Sequence, residues 1–260
     1  MNDCSWSEQN LPKQQIKPLN EELIRAILDY YGQVYYTDVL AIICQFIALI
    51  SGIKYYKQKK EGLYFIIYIF SWLMSFTVAE WITKYFQIIK TQNNTALLFE
   101  ETFIATVSMI EFCCFSFYLY RVLKFQKHKM LIKILAGFFV FPAAFFFRKV
   151  LTGSSPAEVT HLSFVISSVV LFLIAIPCLL YYYELLMKTF SGPLFKKPSF
   201  IIITALLLYC LLVVPFFLVA DKFQKNKLVN DIGFTIHLTS FCLLFLAMTW
   251  AFRLNKSLTE

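Results

Sequence analysis

Seven runs of about 20 mostly apolar residues dominate the chain, and a run of that length is what a helix needs to cross about 30 Å of hydrocarbon. They cover Asp38–Tyr55, Leu63–Ile82, Glu101–Val122, Met130–Phe147, Leu162–Leu185, Phe200–Ala220 and Ile232–Phe252. The fifth contains the most continuous stretch, SFVISSVVLFLIAIPCLLYYY, and the third is the most polar. Lipid offers no partner to open backbone groups, so a spanning segment must close its own hydrogen bonds as a helix or join a closed barrel. Barrel strands alternate apolar and polar over about 10 residues. These runs do not alternate, so helix is the expected state. The expected fold is all-α: an integral membrane bundle of seven transmembrane helices.

Composition agrees. Apolar residues make up 59% of the chain and charged residues 15%, whereas soluble domains average about 45–50% and about 25%. That balance argues against a water-soluble enzyme. Residues 1–37 read as an extracytoplasmic tail, 38–252 as the membrane domain and 253–260 as a cytoplasmic tail. The connections leave no room for a bulky soluble domain, and no internal repeat of the kind many transporters carry is visible.

Loop charge sets the expected orientation. Fourteen Lys and Arg fall on the side of the first, third and fifth loops and the C-tail, against ten on the other. The N-terminus is therefore placed outside and the C-terminus in the cytoplasm. Lys57, Lys59 and Lys60 in the first loop, with Lys124, Lys127 and Lys129 in the third, would meet anionic lipid or a partner protein. No basic domain exists to hold nucleic acid. The N-terminal residues are polar and lack the apolar region of a cleavable signal peptide. Asn20, Glu21 and Glu22 open a helix expected over residues 20–31, lying at the outer surface as an anchor or a lid.

The informative residues are those that do not belong in lipid. Charge at bilayer depth is costly, so it faces a bundle interior or water. Glu111 stands mid-way along the third run, Glu80 in the outward part of the second, and Glu101 beside Glu100 at the mouth of the third. Glu100 and Glu111 are 11 residues apart, about three turns, and share nearly one helix face. His237 enters the seventh run about two turns from the outside, and Gln45 sits on the first. Glu80, Glu111, His237, Gln45 and Glu101 are the candidates for an outward-facing polar cavity. The plain alternative is a structural hydrogen-bond network between helices. Glu184 reads as interfacial, with an inner-side partner contact as the alternative. Pro142, Pro177 and Pro215 fall inside runs and suit kinked helices or irregular packing.

Several classes fall away. Six of the seven cysteines lie in the runs without a C-x-x-C pair, which fits buried packing residues. The three histidines show no i, i+4 pairing and are too few for a seven-helix zinc hydrolase. No metal and no cofactor are expected. The last run has no Lys to carry retinal. Tyr120-Arg121-Val122 replaces the acidic-Arg-Tyr triplet of G-protein-coupled receptors, and the seventh run has no Asn-Pro-x-x-Tyr.

The layout resembles a group of uncharacterised seven-helix inner-membrane proteins of Bacteroidetes-type bacteria. The likeness rests on Ile47 to Lys57 (IALISGIKYYK), Ile110-Glu111-Phe112 leading to Phe117-Tyr118-Leu119-Tyr120, Tyr182-Tyr183-Glu184-Leu185-Leu186, Pro193-Leu194 with Lys197-Pro198-Ser199-Phe200, and Tyr209 with Pro215-Phe216. It covers most of residues 37–254 and implies a compact protein working beside a membrane histidine kinase. It supplies no catalytic residues. The leading expectation is a non-enzymatic sensory or accessory signalling component that binds a small ligand in its outer half. The alternatives are a small proton- or cation-coupled transporter and a lipid-modifying membrane enzyme.

Overall fold

The computed structural model describes residues 36–59, 62–79, 93–187, 193–223, 227–254 and 256–258. The chain divides into two units, Met1–Val34 and Tyr35–Glu260, and every described residue belongs to the second. The surface helix expected over 20–31 lies outside the described residues, as do Glu80 and Lys60.

Among the described residues seven helices follow in order: α1 Tyr36–Lys59, α2 Leu63–Met74, α3 Asn93–Val122, α4 Gln126–Leu151, α5 Pro156–Leu186, α6 Pro198–Phe223 and α7 Lys227–Arg253. A π-helical turn, Ser75–Ala79, extends α2, and a 3-10 turn, Leu194–Lys196, precedes α6. No strand occurs among the described residues. Six helices are long and apolar enough to cross a membrane, and α2 with its π turn adds a shorter apolar stretch, Leu63–Val78. The fold is therefore all-α, with six to seven apolar helices. Pro142, Pro177 and Pro215 all lie inside continuous helices.

Local sequence sets the helix starts. Gly62 takes φ 80° ahead of α2, a left-handed turn that a side chain would strain. Its carbonyl accepts from the Phe65 and Ile66 amides. At α5, the Ser155 side chain accepts from the Glu158 amide, Pro156 opens the helix and Glu158 places an acid in the first turn.

Packing closes six helices into a ring. α1 packs on α2, α2 on α3, α3 on α5, α5 on α6, α6 on α7, and α7 back on α1. α4 stands outside the ring, against α3 and α5. Its Phe139 ring meets Phe112 of α3 at 4.4 Å, while Phe138, Val140, Phe141 and Phe145 point outward and are exposed. The α1–α7 seam is built from small residues. Ala41, Cys44, Ala48 and Gly52 recur at helical spacing and are buried, so the two backbones can approach closely. A Cβ added at Gly52 would sit 3.3 Å from the Phe252 ring. Aromatic rings fill the middle: Tyr68 lies 4.8 Å from Phe115, Trp72 5.1 Å from Phe241, and Phe241 4.5 Å from Phe245.

One end of the bundle is tied shut. The buried Glu184 carboxylate near the end of α5 accepts from the Lys124 amide at 2.8 Å and the Phe125 amide at 2.9 Å. It also meets His128 Nδ1 at 2.7 Å. It thus caps the short α3–α4 connection, satisfying donors at the start of α4 where the helix dipole favours an anion. The sequence places Glu184 at the inner end of its run, and there its carboxylate is buried on intramolecular partners. At the same end, the Tyr55 hydroxyl donates to the Lys256 carbonyl at 2.8 Å and the Tyr118 hydroxyl to the Leu258 carbonyl at 3.1 Å. Tyr181 pairs with Ser199 and Tyr182 with Thr204 across α5 and α6.

Candidate functional site

Among the described residues, the opposite end is hollow. There a cavity of about 320 Å³ enters the ring between α2, α3, α5, α6 and α7. Each wall is a short helical stripe. On α3 the stripe is Glu100, Ile104, Ser108 and Glu111, spaced by about one turn, with Glu101 alongside. On α5 it is Ser163, Ser167 and Leu171, with Phe164 beside them. The end of α2 and its π turn give Trp72, Ser75 and Phe76. Tyr209, Phe216 and Phe217 come from α6, and Phe234 and His237 from α7. By the rise of about 1.5 Å per residue, Glu101 and Glu111 stand about 15 Å apart along α3. The cavity therefore runs from an acidic mouth to an acidic floor.

The floor holds polar atoms that are not paired. The Glu111 carboxyl lies within reach of the Trp72 indole and the Tyr68 hydroxyl. Glu111 Oε1, Trp72 Nε1, Tyr68 Oη and His237 Nδ1 are all buried without a partner. Glu111 is 2% exposed and His237 7%. Most buried polar side-chain atoms in proteins are satisfied, and an unpaired one costs about 1–3 kcal/mol. Three such residues from three helices on one cavity are a concentration that packing alone does not require. His237 is held among rings, with centroids 5.9 Å from Tyr209 and 5.4 Å from Phe217. The mouth is better satisfied: the Glu101 carboxyl lies against the Ser163 and Thr160 hydroxyls. Along the wall, Ser108 Oγ and Ser167 Oγ join α3 to α5 at 3.0 Å.

Of the residues singled out from the sequence, Glu111, His237 and Glu101 line this cavity, together with Glu100. Gln45 is fully buried, with both amide atoms unpaired, but lies off the cavity on α1. Glu80 lies outside the described residues. Lys57, Lys59, Lys124 and Lys127 are exposed, and the Lys129 ammonium sits 5.4 Å over the Tyr120 ring. Lys60 falls outside the described residues. Six cysteines are free thiols, five of them buried. Among the described residues no group of three His, Cys, Asp or Glu could hold a metal.

Sequence reasoning missed Trp72, Ser75, Ser163, Ser167 and the aromatic wall. The serines carried a usable signal, since Ser108 precedes Glu111 by three residues and Ser163 and Ser167 are four apart. The π turn is a second missed feature, and such turns recur at functional sites. It inserts Ser75 and Phe76 into the cavity wall. Set against models of protein families, curated proteins and solved structures, the chain matches none. The fold and cavity define a class only: an all-α bundle of helices long and apolar enough to cross a membrane, tied at one end and, among the described residues, hollow at the other.

Proposed function

We propose that this is a seven-span integral membrane protein that receives a small ligand in its hollow half and passes occupancy to a partner at its closed half. It acts as a non-enzymatic sensory or accessory signalling component. The observation that carries the reading is the set of unpaired buried atoms on Glu111, Trp72 and His237, converging from three helices on one cavity. The closed end supports the second half of the reading. Glu184 fastens α5 to the α3–α4 connection, so a shift of α5 at the cavity moves the basic surface that carries Lys124 and Lys127.

Charge supports the orientation. Among the described residues Lys54, Lys57, Lys59, Arg121, Lys124, Lys127, Arg253 and Lys256 occupy the closed end and Arg148 and Lys149 the other, and over the whole chain the sequence divides Lys and Arg fourteen against ten in the same sense. The closed end is then cytoplasmic and the N-terminus outside. On the resemblance to seven-helix proteins of Bacteroidetes-type bacteria, the membrane proposed is a bacterial inner membrane and the partner proposed is a histidine kinase or a similar signalling protein.

The test is affinity capture of the tagged chain from its native membrane in mild detergent, followed by mass spectrometry. Near-stoichiometric recovery of a signalling protein is the expected result. A lone folded chain that drives proton-coupled uptake in vesicles, lost on Glu111→Gln, would replace this reading with the transporter.

A further inference from the structure

A groove of about 400 Å³ lies at the closed end, where α1 and α7 finish side by side. Ser51, Lys54, Tyr55 and Gln58 line it from α1, and Phe252 and Arg253 from α7. Lys54, Gln58 and Arg253 are exposed. Beneath the groove the seam is shut, since Gly52 lets the Phe252 ring approach α1 closely. On α1, Ile43, Ile47, Ser51, Lys54 and Gln58 follow at steps of three or four residues and so share one helix face. That face is apolar and exposed at Val39, Ile43 and Ile47, and turns polar at Ser51, where the groove begins. The rise from Val39 to Ser51 is about 18 Å, close to half of a hydrocarbon core of about 30 Å. Trp250, half exposed one turn before Arg253, suits the depth at which rings mark the edge of the hydrocarbon.

We infer that this groove binds one anionic phospholipid, its phosphate between Lys54 and Arg253 and an acyl chain along Ile47, Ile43 and Val39. Arginine presents a planar pair of donors that matches phosphate oxygens, and lysine adds a point charge. Ser51 and Gln58 supply hydrogen-bonding groups for the ester and headgroup oxygens. Basic pockets between membrane helices are a recurrent setting for anionic headgroups. Complementing two helix C-termini would account for the cations alone, but it calls for no groove between them. A soluble phosphate would use the cations and leave the isoleucines of the same face unused, which favours the lipid. The site needs only that α1 and α7 cross the membrane, and it is independent of any ligand in the cavity at the other end. It lies on the seam that closes the ring, so a bound lipid ties the first helix to the last and stabilises the folded chain by mass action.

Headgroup charge at constant acyl chain tests the assignment. The full-length protein in mild detergent is titrated with dioleoyl phosphatidylglycerol or dioleoyl phosphatidylcholine, and bound lipid is counted by native mass spectrometry. One phosphatidylglycerol bound at least tenfold more tightly than phosphatidylcholine, and not displaced by excess inorganic phosphate, is the expected result. In the double variant Lys54→Gln, Arg253→Gln the preference should fall below threefold. Arg121→Gln, which removes a charge from α3 at the same end, should leave it within twofold. The wild-type comparison stands even if the double variant fails to fold. Equal binding of the two lipids, several phosphatidylglycerols bound alike, or an equal loss in Arg121→Gln would overturn the site and leave only diffuse charge at this end. Displacement by inorganic phosphate would overturn the lipid in favour of a soluble anion.

Discussion

The two ends of the bundle hold the same kinds of residue in opposite states. Glu184 and Glu111 are both buried carboxyls on helices, 5% and 2% exposed. Glu184 is saturated by two backbone amides and an imidazole. Glu111 has an indole and a hydroxyl beside it, and its Oε1 is left unpaired. Tyr118 and Tyr68 repeat the contrast: one hydroxyl is tied to the C-terminal backbone, the other is idle. Depth and residue type alone therefore do not decide role. What differs is whether neighbouring elements present partners. The closed end is organised for stability, and the hollow end keeps polar capacity in reserve.

Four substitutions would break or sharpen this contrast. The largest effect is expected from Glu184→Ala, which strands two amides and His128 at once. Loss of about 2–4 kcal/mol is expected, read as reduced unfolding stability in detergent. A loss below about 1 kcal/mol would mean the closed end is not held by this residue. Next is Gly233→Ala. A Cβ there would run into the Phe216 ring of the cavity wall, so overpacking should cost about 1–3 kcal/mol, read as reduced unfolding stability in detergent. Tyr118→Phe removes one hydroxyl from the Leu258 carbonyl and should cost about 1 kcal/mol, with faster proteolysis of the last residues. Smallest is Glu111→Gln. Its Oε1 has no bond to lose, so stability should change by less than about 0.5 kcal/mol by the same accounting. A cost as large as that of Glu184→Ala would show that Glu111 is structural and end the comparison.

Much of the architecture was legible because continuous apolar runs leave a chain little choice in lipid. The ring with α4 outside it was not. α4 is as apolar as its neighbours, and hydropathy cannot separate a helix that faces lipid from one that faces helices. Glu111 and His237 stood out because charge in an apolar run is costly wherever it points. Trp72, Tyr209 and Phe217 did not, because rings are abundant throughout this chain and only tertiary structure selects which share a wall. Gln45 shows the converse. Its burial was readable from its position, but its neighbour was not, and α1 turns it into the ring away from the cavity. The Glu184 clamp was illegible for a different reason. Its partners at Lys124 and Phe125 are backbone amides about 60 residues away, and any residue type there except proline would supply them.

The ring closes between its first and last helices, and this has a consequence for biogenesis. During synthesis α1 waits through the insertion of every other helix before α7 arrives to pack on it. Until then the stripe of Ala41, Cys44 and Ala48 must face lipid or a borrowed surface, and the wall that bears His237 does not exist. Membrane-inserted intermediates that stop before α7 therefore hold Glu111 in an open trough with no far side.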